Sequence, residues 1–116
     1  MDVEFIREYC LKKKQVTEGF PFGPDTLVFK VKEKVFLLLS LNQESVRFNI
    51  KSDPDVAIEL REQYQNIVPG YHMNKRLWNT VIIDGTIPNK LIIELIDNSY
   101  LLVVAALSKK LREDLL

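Results

Sequence analysis

The sequence predicts an α+β domain in which an antiparallel sheet of at least four strands packs against helices, with the terminal and central helices covering one face. Three observations carry this. Apolar and polar residues alternate with period two over residues 26–32 and again over 46–51, on either side of an almost wholly apolar segment at 35–41. Residues 88–107 are apolar at helical spacing instead, over about five turns. The length of 116 residues gives room for one core, hence a single domain spanning 1–116.

In order along the chain, residues 2–14 predict an amphipathic helix. Val3, Ile6 and Cys10 share a face with Phe5 and Tyr9 beside them, while Glu4, Arg7, Glu8 and Lys12 fall elsewhere. Asp2 can cap its start, and Lys12, Lys13 and Lys14 suit the negative end of the helix dipole as a solvated terminus. Phe20-Pro21-Phe22-Gly23-Pro24-Asp25 cannot be regular, so its two aromatics are expected to pack onto the core from a loop. In the strand that follows, Leu27, Phe29 and Val31 point one way and Val28, Lys30 and Lys32 the other, and Glu33-Lys34 turns the chain. The apolar run at 35–41 reads as a central strand covered on both faces. After the turn Asn42-Gln43-Glu44, Val46, Phe48 and Ile50 alternate with Arg47, Asn49 and Lys51, completing a three-stranded meander.

Ser52-Asp53-Pro54-Asp55 starts a helix running to about Gln65, with Asp53 as N-cap, Pro54 at the first helical position, and Val56, Leu60 and Tyr64 on the buried side. Capping and the helix dipole explain both carboxylates without a general acid–base pair. Pro69-Gly70 opens a loop that feeds a strand at 80–83, closed by Asp84-Gly85. Pro88 begins the central helix, and Ser108 caps a last helix over 109–115.

Sixteen basic residues balance sixteen acidic ones, which argues against a strongly basic nucleic-acid binder. The balance is uneven. Asp53, Asp55, Glu59 and Glu62 against Arg61 make the second helix net −3, whereas residues 30–51 carry five cations and two carboxylates, net +3. One His and one Cys, far apart, do not make a zinc set; the four glycines form no phosphate-cradling loop; and no nucleophile elbow is present. No enzymatic activity, catalytic residue, metal or cofactor is expected. A single cysteine suits a reducing compartment, the N-terminus lacks a signal-like pattern, and the longest apolar run, residues 100–107, is too short to span a bilayer. A cytoplasmic protein without membrane contact is expected.

The segment 69–88, PGYHMNKRLWNTVIIDGTIP, holds the only His and the only Trp. Its order YHMNK, then Trp78-Asn79-Thr80, then Asp84-Gly85 and Ile87-Pro88, resembles the MmcQ/YjbR family of small bacterial proteins. Phe20-Pro21-Phe22-Gly23, the strand TLVFKV at 26–31, Ser52-Asp53-Pro54 and Ser99-Tyr100-Leu101-Leu102-Val103 extend the resemblance over nearly the whole chain. It departs after the first helix, where related sequences carry a Pro-Gly turn and this chain has Lys12-Lys13-Lys14-Gln15. The resemblance implies a sheet of double-wing type that binds DNA. Lys30, Lys32, Arg47, Asn49 and Lys51, on the polar rows of two strands, are then candidate contacts to the phosphate backbone of duplex DNA. An alternative site is the loop of His72, Asn74, Lys75 and Trp78, which could hold a small anion or a protein partner: His and Lys donate, Asn orients and Trp forms an apolar wall. The same residues have structural readings, Trp78 as a core aromatic near the helix at 100–107 and Asn74 as a bonder of loop backbone.

Overall fold

The computed structural model describes residues 1–70 and 73–115. Helix α1 (Val3–Leu11) starts where Asp2 Oδ1 accepts the N–H of Phe5 at 2.8 Å, and it buries Ile6 and Cys10. The chain reverses through Gln15, whose φ of 60° is left-handed, into β1 (Val16–Gly19). Strands β2 (Thr26–Val31) and β3 (Lys34–Ser40) form a hairpin whose two connecting residues, Lys32 and Glu33, have φ of 49° and 68°. Two successive left-handed residues are the hairpin turn whose twist matches the strands. Lys32 therefore lies beyond β2 and not on its outward row, and its Nζ is 2.8 Å from the Asp114 carboxylate.

Strand β4 (Arg47–Lys51) leads to α2 (Pro54–Gln63), β5 (Ile67–Pro69), β6 (Trp78–Ile82), α3 (Asn89–Ala105) and α4 (Lys109–Glu113). The strands form one antiparallel sheet in the order β1-β2-β3-β4-β6-β5. The expected meander is thus the middle of a sheet of six, to which β1 and β5 add the outer edges. A register shift between Phe29 and Lys30 leaves Phe36 without a partner on β2.

One face carries the core. Leu27, Phe29, Leu37, Leu39, Phe48, Ile50 and Val81 meet Ile6 and Cys10 of α1 and Ile92, Leu95, Ile96 and Val103 of α3. Phe36, Leu37, Leu38 and Leu39 are all buried, as expected of a central strand.

The helices differ from expectation in three details. Helix α2 buries Ala57 and Leu60, while Val56 is exposed, because small Ala57 lets the helix approach β6 closely enough for Asn79 Nδ2 to donate to its carbonyl at 3.1 Å. Asp53 sits at the N-cap of α2 and its carbonyl accepts the Ala57 N–H, but its side chain makes no cap bond. Lys13 is not a solvated terminus. Its Nζ lies 2.5 Å from Asp97, against the rings of Tyr9 and Tyr100, and the Tyr9 hydroxyl donates to the same carboxylate. The Ser108 hydroxyl caps α4, as read, accepting the Leu111 N–H. Phe20 and Phe22 do not pack onto the core but are 51% and 68% exposed. Among the described residues no helix is long and apolar enough to cross a membrane.

Candidate binding site on the open face of the sheet

Side chains alternate across a strand, so the register sorts them. Leu37↔Ile50 and Leu39↔Phe48 face the helices; the intervening pairs Leu38↔Asn49, Ser40↔Arg47 and Asn49↔Thr80 belong to the opposite face, as do Thr26, the β2 partner of Ser40, and Lys30 with its β1 partner Thr17. Lys30 and Arg47 are the cations at these strand positions, and no carboxylate shares them. Glu18 falls on the helix side, where Arg7 holds it through two bonds of 2.8 and 2.7 Å that keep its carboxyl below the usual range. The acidic α2 also packs on the helix side, through Ala57 to Asn79.

Two loops fold toward this face and leave a cleft of about 670 Å³ between them. Its floor comes from four strands: Thr26, Leu38, Ser40, Arg47, Asn49 and Thr80. Phe22, from the Pro-Gly-rich loop, and Met73 line its sides, and Gln43 enters from the β3–β4 loop. Within the floor, the Thr80 hydroxyl donates to Asn49 Oδ1 at 2.5 Å. Arg47 Nε is buried and has no hydrogen-bond partner among the described residues, an arrangement that costs free energy.

Of the five residues expected on one basic surface, the structure brings Arg47 and Asn49 together in the cleft. Lys30 shares their face on β2. Lys51 lines a separate hollow of about 260 Å³ with Lys34, Val103 and Leu107, and Lys32 is engaged by Asp114. In the alternative loop, Asn74 holds a turn: its Oδ1 accepts the Arg76 N–H at 3.0 Å, and its carbonyl accepts from Leu77 and Trp78. The carbonyl of Lys75 accepts from Arg61 at 3.0 Å, and its Nζ reaches the Gly70 carbonyl at 3.4 Å. Trp78 is half-buried and two positions from Thr80 on β6, hence on the open face, so it is not the core aromatic expected beside residues 100–107. His72 lies outside the described residues. Among them, no three His, Cys, Asp or Glu side chains are grouped as a metal site.

Sequence reasoning missed Phe22, Thr26, Ser40, Gln43, Met73 and Thr80. Only the strand register brings the hydroxyls of Thr26, Ser40 and Thr80 beside Arg47 and Asn49. The signal for Phe22 was available: an aromatic between two prolines and a glycine is held in a loop without strand partners.

A family model described as YjbR matches residues 11–102. The chain belongs to the YjbR family. The match takes in all six strands and α2, and so both walls and the floor of the cleft. Escherichia coli O157:H7 YbdF is 41% identical over 107 residues, covering 92% of this chain and 88% of that one. YjbR of Escherichia coli K12 is 28% identical over 113 residues, covering 97% and 96%. The Deinococcus radiodurans protein DR2400 has a crystal structure that superposes with a TM-score of 0.93 at 41% identity, over 97% of this chain and 86% of that one. A Pseudomonas syringae protein superposes at 0.76 and 29% identity, over 88% and 98%. The α+β class with an antiparallel YjbR-type sheet is therefore shared with solved structures.

Proposed function

We propose that this chain is a non-enzymatic nucleic-acid-binding module that meets the phosphate backbone with the open face of its sheet. The observation that carries the reading is charge segregation. Lys30 and Arg47 occupy the open face with no strand carboxylate among them, while Glu18 and the acidic α2 lie on the other side. A chain of zero net charge can still present a cationic side to a polyanion in this way. The double-wing likeness agrees with contact through strands rather than a recognition helix. Buried, unpaired Cys10 suits a reducing cytoplasm, where such a module would work. The alternative, an anion or protein-partner site on the loop of Asn74, Lys75 and Trp78, has less support because Asn74 and Lys75 are engaged in holding the turn.

Titration of random-sequence duplex DNA at two salt concentrations tests the proposal. Two phosphate contacts correspond to a log–log salt slope of about −1.8 and a dissociation constant of about 10⁻⁴ to 10⁻⁶ M. Lys30→Ala with Arg47→Ala should flatten the slope by about two, whereas Lys32→Ala, whose ammonium is already paired, should leave it nearly unchanged. Absence of binding to any nucleic acid at low salt would reject the reading.

A further inference from the structure

Resting on that reading, we infer that the cleft takes one unstacked nucleotide of the bound strand, so that single-stranded nucleic acid is preferred to duplex. Backbone contact with an intact duplex needs only a cationic surface. This face instead has a recess of about 670 Å³, within the range of pockets that enclose small ligands and large enough for a nucleotide.

The chemistry of the recess is that of a nucleotide site. Phe22 stands on its wall, 68% exposed, with an aromatic face that no described side chain stacks against. An exposed ring beside a cationic strand surface is a platform for a base, and such stacking tolerates any sequence because every base has a π-face. The floor offers the Ser40 hydroxyl and, nearby, the Gln43 amide, which match the donor and acceptor edges that an unpaired base displays. Arg47, which lines the same recess, brings a guanidinium as charge-assisted donor for a phosphate oxygen. Base stacking and phosphate binding are thus combined within one recess, and a base still paired in a duplex does not reach it.

The test is fluorescence anisotropy with labelled oligothymidylate and with the same strand annealed to its complement, together with amide chemical shifts on adding thymidine 5′-monophosphate or inorganic phosphate. The single strand should bind about tenfold or more tightly than the duplex. Phe22→Ala, at an exposed position, should weaken single-strand binding by about 5- to 150-fold. The mononucleotide should shift the amides of Phe22, Ser40 and Arg47, and inorganic phosphate that of Arg47 without Phe22. Equal or tighter duplex binding, or single-strand affinity indifferent to Phe22→Ala, overturns the nucleotide cleft while leaving backbone binding intact. Failure to bind either strand form removes both.

Discussion

The hydroxyl of Ser99 donates to the carbonyl of Phe36 at 2.5 Å and accepts the Lys51 N–H at 2.8 Å, standing where β3 and β4 would otherwise bond to each other. Their ladder runs to Leu37↔Ile50, and the next position sets Phe36 against Lys51. The register shift that leaves Phe36 without a β2 partner thus exposes a backbone acceptor that the central helix satisfies. The Ser99-Tyr100 pair has a physical role in consequence, as Tyr100 also packs edge-on against Phe36.

Ser99→Ala should therefore lower stability by about 1–3 kcal/mol, since it leaves buried backbone groups unbonded. Urea unfolding at neutral pH, read as a shift in midpoint at constant slope, checks this. A change below a few tenths of a kcal/mol would mean that the two strands close directly when the hydroxyl is gone.

Gly70→Ala should loosen the β5–β6 edge. A Cβ there would stand 2.9 Å from both the Cβ and the carbonyl oxygen of Trp78, and the Gly70 N–H donates to that carbonyl at 2.8 Å, so the strands cannot part without losing the bond. A loss of about 1–3 kcal/mol is expected, as for overpacking. The chain has one tryptophan, so a shift of its native fluorescence maximum in the variant reports the displacement.

Three left-handed residues, Gln15, Lys32 and Glu33, lack the residue type that favours their geometry. Gln15 turns the chain after α1, and Glu33 completes the β2–β3 turn, where hairpins favour glycine. Gln15→Gly and Glu33→Gly should each stabilise the fold by up to about 1 kcal/mol, because relief of the left-handed conformation outweighs the extra unfolded-state entropy of glycine. Lys32 is best left in place, since its side chain pairs with Asp114. Lower urea midpoints in both variants would contradict the assignment.

Alkaline pH should destabilise the protein partly through Cys10. Burial pushes its thiol up to about 12, and Tyr9 is raised to about 12 by burial and by its bond to Asp97. A folded pKa above the unfolded one stabilises fully below the unfolded value, here about pH 9 for the thiol, and that contribution is lost as pH rises toward the folded value. Unfolding free energy measured from about pH 8 to 11 should fall, and fall less steeply in Cys10→Ala. Native protein should also resist thiol reagents near pH 8 and react once unfolded.

Periodicity exposed β2 and β4, the apolar run exposed β3, and helical spacing with a Pro start exposed α3, because each records burial on one or two faces. Strands β1 and β5 left no such record. They are four and three residues long, and Val16-Thr17-Glu18-Gly19 becomes a strand through pairing with β2 and the reach of Glu18 to Arg7. The basic surface was half legible: alternation put Lys30, Arg47 and Asn49 on outward rows, but the end of β2 depends on a turn without the usual Asn-Gly, which removed Lys32. Trp78 was misplaced because an aromatic in a strand reads as core, and only the register shows which face it takes. The cleft was invisible for the same reason, since its polar floor is assembled from residues up to 54 positions apart, Thr26 and Thr80.

The outermost strands bear on how the molecule tolerates crowding. Strand β5 ends on Pro69, which has no N–H to offer, and β1 is short and carries an ion-paired glutamate. Neither provides a straight, apolar row of free backbone groups onto which another chain could zip. The apolar segment Phe36-Leu37-Leu38-Leu39 is locked in the middle, two strands from one margin and three from the other. Fibril growth would require β1 and β2, or β4, β5 and β6, to peel away first, so resistance to aggregation should follow global unfolding rather than fraying at the rim.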